Sequence, residues 1–435
     1  MNDQASSLTS RFANSHWTSG VIGLGYVGLP LLITAVRQGL GGVGFDVSAD
    51  RVRTLSGGRS HIDDVTDEDL EKALADGAEF TTDPARLNEA DAIFICVPSP
   101  LGRNRQPDLS FIEAAAKTVE QVARPGQLIV LESTTYPGTT EEFLIPAVER
   151  AGLNLDRDVF VAFSPERVSP GDEMKTGEIP KVVGGVSELS GAVAEAAYRR
   201  IVPSVHVVST ARVAEMTKLL ENTYRSVNIG LINELAQLAH HLGIDIWEVV
   251  DAAATKPFGF QPFYPGPGVG GHCIPLDPQY LAWRAREANF STRFIDIAEQ
   301  VNSKMPSYTV SRIADLLNRQ GLPVFGTEIL GVGIAYKPGI ADDRESASLE
   351  VLDELAGRGA RVSVLDAVVG AERIKQHGFE SVSEGEDLSR FDIAAVLTDH
   401  PSLDYAALAS DVDVVFDTRG VYRRLGVLAD NVEAL

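Results

Sequence analysis

The chain has 435 residues, 44% hydrophobic and 23% charged. That is too long for one hydrophobic core and ordinary for a globular protein of two or three domains. A formal net charge of -23 at pH 7 gives a long-range field that repels anions, which argues against nucleic acid and anionic membrane surfaces as partners. Two cysteines, Cys96 and Cys273, make neither a disulfide framework nor a spaced metal set, so no metal is expected and a reducing, cytoplasmic setting fits.

Residues 1–18 are polar and lack the apolar core of a signal peptide, and a flexible extension is expected there. No apolar run is long enough to cross a bilayer. Folding signals begin at Gly20-Val21-Ile22-Gly23, a short strand entering a glycine-rich turn, followed by a helix over 29–38 and a strand at 42–46. Ala92-Ile93-Phe94-Ile95-Cys96-Val97 and Gln127-Leu128-Ile129-Val130-Leu131 have the length and apolar continuity of buried parallel strands, with a helix over 111–122 between them. This alternation implies a doubly wound α/β domain over 19–208.

A long helix is expected from 210 to about 241, with Val213, Met216, Leu220, Val227, Leu231, Leu235 and Leu238 as its apolar stripe. Further helices fall at 246–254, 280–288 and 291–317, so 209–318 reads as an all-helical domain. Strand and helix alternate again over 319–435, with strands at 328–332, 361–365, 393–397 and 412–416 and a helix at 348–358. No short repeat is visible; the two outer α/β domains are candidates for distant architectural copies.

Gly23-Leu24-Gly25-Tyr26-Val27-Gly28 is G-x-G-x-x-G between a strand and a helix, and Asp46 ends the next strand. Such glycines let backbone N–H groups approach a pyrophosphate, and an acid at that place accepts from a ribose 2′-OH while repelling a 2′-phosphate. NAD is therefore the expected cofactor, held by Gly23, Gly25, Tyr26, Val27, Gly28, Asp46 and Arg51. The loops after the other strands, with Pro98, Ser99, Ser133 and Thr134, should line the same crevice. Cys96 reads as a small hydrophobe on a buried strand.

The segment from Phe263 to Asp277 is the most informative. Its glycines, including Gly266, Gly268 and Gly270, permit an irregular loop able to wrap a sugar or phosphate beside Tyr264. Cys273 follows, four residues before Asp277 at a helix start, where a thiol becomes a better nucleophile. A structural cysteine in a turn accounts for the spacing equally well. Lys218 and Asn222 share one face of the long helix; by pattern alone a solvated polar face explains them better. Glu166, in Ser164-Pro165-Glu166-Arg167, should emerge at a strand end.

Taken together these motifs resemble the UDP-glucose/GDP-mannose dehydrogenase family, from about Gly20 to the C-terminus. The markers are the glycine turn, Ser133-Thr134, Ser164-Pro165-Glu166, Lys218-x-x-x-Asn222, Gly270-Gly271-His272-Cys273-x-x-x-Asp277, Lys337 and Arg344-Glu345-Ser346. The resemblance implies a four-electron oxidation of a nucleotide-sugar C6 alcohol through a thiohemiacetal and a thioester on Cys273. It assigns Lys218 to oxyanion stabilisation or proton movement, Asn222 to a supporting hydrogen bond, and Asp277 to positioning of water or the lysine. It assigns Glu166 to thioester hydrolysis and Thr134 to water or the nicotinamide region. Lys337, Arg419 and Arg167 join the loop residues in the UDP-sugar site, and Arg344 reaches the NAD side. Separately, the apolar stripe of the long helix exceeds what one thin domain normally buries, so a homodimer built on the central helices is expected.

Two departures stand out. Pro170 occupies a place where some relatives carry a second Glu, and the stretch 256–262 lacks the Arg that UDP-glucose enzymes often have there. The sequence thus looks like the bacterial branch acting on UDP-N-acetylhexosamines for surface polysaccharide synthesis. UDP-N-acetyl-D-glucosamine is the first choice; UDP-N-acetyl-D-galactosamine, UDP-N-acetyl-D-mannosamine and UDP-glucose stay open. Two-electron hydroxy-acid dehydrogenases share the first domain and the Lys/Asn helix but need neither the cysteine nor a second α/β domain. A non-catalytic nucleotide-sugar-binding protein would be expected to have lost a chemical group, and Lys218, Asn222, Cys273 and Asp277 are all present.

Overall fold

The computed structural model describes residues 3–62, 64–102, 106–168 and 178–435; Pro170 lies outside them. The chain divides into two compact units, 1–221 with 279–290 and 222–278 with 291–435.

The first unit is built on eight strands: β1 (Thr18–Ile22), β2 (Gly41–Phe45), β3 (Ala78–Thr81), β4 (Ala92–Ile95), β5 (Gln127–Leu131), β6 (Val159–Phe163), β7 (Lys181–Gly185) and β8 (Val205–Val208), in the order β3-β2-β1-β4-β5-β6-β7-β8. All neighbours are parallel except β6 and β7, which pair antiparallel through Ala162–Gly185 and Phe163–Gly184. Every residue of β4, β5 and β6 is buried. Helices cover both faces, which is why these strands read as unbroken apolar runs. Strand order reverses between β1 and β4, and a ligand crevice opens beyond the strand ends at such a point.

The extension expected to be flexible is instead a helix, Asp3–Asn14. Ala5, Leu8 and Phe12 recur at helical spacing and are buried, and Phe12 meets Trp17 edge to face at 5.0 Å. The helix packs on Glu188–Ile201, and Arg11 pairs with the buried Asp91 at 2.8 Å. A mostly polar stretch hid three apolar residues on one face.

The second unit carries a six-stranded parallel sheet: β9 (Glu328–Val332), β10 (Arg361–Leu365), β11 (Glu380–Val382), β12 (Ile393–Val396), β13 (Val415–Asp417) and β14 (Val432–Ala434), in the order β11-β10-β9-β12-β13-β14. This is the order of the first six strands of the other sheet, and the likeness extends to atoms. Gly23 N–H donates to Phe45 O and Gly333 N–H to Leu365 O, both at 2.9 Å. Leu24 N–H donates to Asp46 at 2.9 Å and Ile334 N–H to Asp366 at 2.7 Å. Gly23 and Gly333 have φ of 92° and 83°, a conformation glycine adopts without strain. The expected strand at 412–416 starts later, because Val412 still closes the helix Tyr405–Asp411.

The long helix spans Ala211–Leu242. Its expected apolar stripe faces outward: Val213, Met216, Leu220, Leu231, Leu235 and Leu238 are exposed, whereas Leu219, Ile232, Asn233, Ala236 and Ala239 are buried. The single helix expected over 291–317 is two, Arg293–Asn302 and Met305–Arg319, because Pro306 in the first turn of the second cannot donate to a continuous ladder. Gly230 lets the first of these approach closely: a Cβ there would lie 3.0 Å from Ala298 Cα. Among the described residues no helix is long and apolar enough to cross a membrane.

Candidate active site and cofactor cleft

In the first unit the three fingerprint glycines have three different reasons. Gly23 has positive φ, and a Cβ on it would meet Cys96 O at 2.6 Å. Gly28 starts the helix Gly28–Arg37, where a Cβ would lie 1.9 Å from Gly23 O. At Gly25 a Cβ would meet no protein atom within 4 Å. The fold alone therefore does not explain Gly25; a pyrophosphate approaching the backbone does. Gly25→Ala is expected to leave thermal stability unchanged while weakening NAD at least tenfold, and Gly28→Ala to lower stability sharply. Calorimetric NAD titration and thermal melts separate the two, and equal loss of stability in both would refute the distinction.

Asp46 follows β2. Its carboxylate accepts from Leu24 N–H, from Ser48 N–H at 2.9 Å and from Arg51 at 2.8 Å. Burial acts to raise its pKa, but these donors outweigh burial and hold it below the usual value. An ionised acid at this strand end suits a ribose hydroxyl, so the residues present fit NAD. Tyr26 and Val27 lie in the turn, Tyr26 well exposed. Pro98 and Ser99 follow β4, and Tyr280 O–H donates to Ser99 O at 2.9 Å. Ser133 O–H donates to Val97 O at 2.7 Å, and Thr134 beside it is half-buried.

Glu166 emerges beyond β6, as expected from its strand-end motif. Its Oε1 accepts from the N–H groups of Arg167 and Val168 at 2.8 and 2.7 Å, and its Oε2 from Lys181 at 2.9 Å. Arg167 itself is tied to Glu221 at 2.7 Å and to Pro180 O at 3.0 Å. Lys218 is buried on the long helix, which refutes a solvated face for it.

In the second unit Asn222, one turn after Lys218, is also buried and donates through Nδ2 to Asp277 Oδ2. Cys273 presents an exposed thiol, and its carbonyl accepts from Asp277 N–H at 2.9 Å as the helix Asp277–Glu287 begins. Burial, then the charge of Arg344, depresses the pKa of the adjoining His272.

The glycine loop is clamped along its length. Gly266 N–H donates to Asn233 at 3.1 Å, and Asn233 donates to Asn302 at 3.0 Å, joining loop and helices through buried amides. A Cβ at Gly266 would lie 2.6 Å from Arg419 Nη1, one at Gly268 2.7 Å from Ala347 Cβ, and one at Gly270 2.8 Å from Glu345 O. Tyr264 stacks on Trp247 at 5.5 Å and donates to Asp251 at 2.9 Å. Arg419 donates to Asp399 at 3.1 Å. Lys337 is half-buried in the loop after β9. Arg344 makes a two-pronged contact with Asp342 at 2.8 and 2.6 Å.

Lys181 and Glu132 escaped the sequence reading. They sit at the head of β7 and just after β5, and only pairing in the folded sheet explains charges at such depth. Tyr336, whose Cβ would lie 3.0 Å from a Cβ on Gly270 and whose ring would lie 2.9 Å from one on Gly271, was likewise passed over.

A dinucleotide cleft, a thiol on a glycine-rich loop and a second α/β domain define a class, the NAD-dependent UDP-sugar dehydrogenases. The chain matches the NAD-binding domain of one family over residues 18–202, its central domain over 212–304 and its UDP-binding domain over 330–424. It belongs to the UDP-glucose/GDP-mannose dehydrogenase family. It is 36% identical to a UDP-N-acetyl-D-glucosamine 6-dehydrogenase of Pseudomonas aeruginosa, over 81% of this chain and 83% of that one. It is 35% identical to an NDP-N-acetyl-D-galactosaminuronic acid dehydrogenase of Ralstonia nicotianae, over 93% and 96%. The solved structure of a UDP-D-ManNAc dehydrogenase from Pyrococcus horikoshii matches with a TM-score of 0.85 and 31% identity, covering 96% of this chain and 98% of that one. The protein is an oxidoreductase that uses NAD.

Proposed function

We propose that the protein oxidises the C6 alcohol of a UDP-N-acetylhexosamine to the uronate in two steps, with UDP-N-acetyl-D-glucosamine as the first-choice substrate, as a precursor for bacterial surface polysaccharide. The observation that carries this is Cys273: an exposed thiol, on a clamped glycine loop, at the start of the helix bearing Asp277. NAD, when bound, takes up the hydride released from C6 in each oxidation. Lys218 stabilises oxygen charge or moves the alcohol proton, and Asn222 adds a hydrogen bond there. The Cys273 thiolate adds to the aldehyde carbon and holds it as a thiohemiacetal. The second oxidation leaves a thioester. Water then attacks its carbonyl, the C–Sγ bond breaks, and Glu166 takes the water proton, while Asp277 and Thr134 orient the water. Tyr264, Gly266, Gly268, Gly270, Lys337, Arg167 and Arg419 form the UDP-sugar site. Arg344 serves the NAD side.

The substrate choice rests on the absence of Arg from 256–262 and on relatives named for N-acetylhexosamines. A panel of UDP-N-acetyl-D-glucosamine, its galacto and manno epimers and UDP-glucose tests it. Two NADH per sugar, with the highest kcat/KM on the first, is expected; one NADH with a stable aldehyde overturns the four-electron reading. The exposed face from Val213 to Leu242 supports a homodimer built on the central helices, since apolar area of that extent calls for a partner. A solution mass of one 46.7 kDa chain at micromolar concentration contradicts it.

A further inference from the structure

Beneath Glu166 lies a buried charge network that the proposed chemistry does not itself require. Lys181 Nζ donates to Glu166 at 2.9 Å and to Glu132 at 2.7 Å, and the Tyr198 hydroxyl donates to the other oxygen of Glu132. Lys181 and Glu132 are 3% and 0% exposed, whereas the Glu166 side chain keeps 12%. Two carboxylates thus share one ammonium in a site closed to water on the Glu132 side and open on the Glu166 side. An unpaired charge at this depth costs several kcal/mol, so the three groups stand or fall together.

We propose that Lys181, braced by Glu132 and Tyr198, is a positioning residue that fixes Glu166 with one lone pair of Oε2 left for the hydrolytic water. This rests on the reading of Glu166 as the base in thioester hydrolysis. Oε1 is occupied by two backbone N–H groups and Oε2 by Lys181, so the carboxylate is held at both oxygens, and Oε2 has one acceptor position left while the side chain keeps some exposure. Rotation frozen in advance is orientation the enzyme need not impose at the moment of reaction.

The electrostatics agree. Burial raises the pKa of Glu166, but the Lys181 charge and its hydrogen bond outweigh this and hold it low. Burial dominates at Glu132 and raises it despite the same lysine. Cys96, the other titratable group facing the network, is pushed well up by burial and stays a thiol. The two carboxyls are thus pulled in opposite directions, and the one held low is Glu166, the group that keeps some exposure.

The test compares Glu166→Gln, Lys181→Arg, and the double variant Glu132→Gln/Lys181→Met, which removes one charge of each sign and so avoids an unpaired buried carboxylate. Each is mixed with NAD and the panel sugar giving most NADH, and the acyl adduct on Cys273 is followed by intact mass. The double variant is expected to form both NADH in a burst, accumulate the adduct, and turn over about 100-fold more slowly with KM changed less than threefold. Its acid limb of kcat should move to higher pH, and Lys181→Arg should restore most of the rate. Accumulation in Glu166→Gln but not in the double variant overturns the role of Lys181 alone. No accumulation in Glu166→Gln overturns the hydrolytic reading and the proposal with it. A double variant that loses the burst along with turnover shows a merely structural lysine and also overturns it.

Discussion

Cys273→Ser is expected to abolish uronate formation, by on the order of 10³-fold or more, the scale for loss of a covalent nucleophile, while leaving NAD and UDP-sugar affinity within about threefold. The thiol is exposed, and its loop is held by contacts that do not involve it: Gly266 to Asn233, and Gly271 N–H to Glu345 O at 3.2 Å. Exchange of sulfur for oxygen therefore should not disturb the scaffold. It removes a sulfur that is a strong nucleophile and departs readily as a thiolate, and substitutes a hydroxyl that is poorer at both. NADH stoichiometry, uronate quantified by mass, and calorimetric titration of both ligands check this. Normal uronate yield from the variant would sink the covalent mechanism, whatever the sugar.

Phe12→Ala should be the most damaging single change far from the chemistry. Phe12 is fully buried, edge-on to Trp17 and against the Glu188–Ile201 helix. Its truncation leaves a cavity that two packed helices cannot readily close. Loss of a buried Phe costs about 3–5 kcal/mol, which corresponds to a fall in Tm of about 10 °C for a unit of this size. Arg11→Ala, which breaks only a half-exposed pair with Asp91, should cost about 1 kcal/mol or less. Scanning calorimetry distinguishes the two. If both shift Tm equally and slightly, the N-terminal helix contributes little to the first unit. Turnover at 25 °C should survive either change, because neither residue approaches the glycine turn or Glu166.

Where one local period dominates, sequence and structure coincide. Strand β9 and the helix Ile246–Ala254 have the expected ends, because a short apolar run between turn residues, or an Asp cap before an apolar face, is settled within a few residues. The fingerprint glycines and Asp46 are of the same kind, since βα-turn geometry is local. Periodicity identifies an apolar face without its partner. The stripe of the long helix has the expected spacing and stands exposed, while Ile232, Asn233 and Ala236 turn inward. The N-terminal segment has too few apolar residues to announce a helix until Glu188–Ile201, nearly two hundred residues on, covers them.

Sequence by itself determined the α/β-helical-α/β order, the NAD fingerprint, and Cys273 as the residue to test, because each depends on neighbours in the chain. Tertiary structure alone decided that Lys218 and Asn222 are buried rather than solvated, that Asn222 holds Asp277, and that Gly268 and Gly270 are glycines because Ala347 Cβ and Glu345 O leave no room. It also decided that a lysine at the head of β7 and a glutamate after β5 meet under Glu166. The physical reason is one of range: a turn or cap is fixed by adjacent bonds, whereas burying a charge requires its counter-charge, and these come from segments about fifty residues apart that the sheet brings to either side of β6.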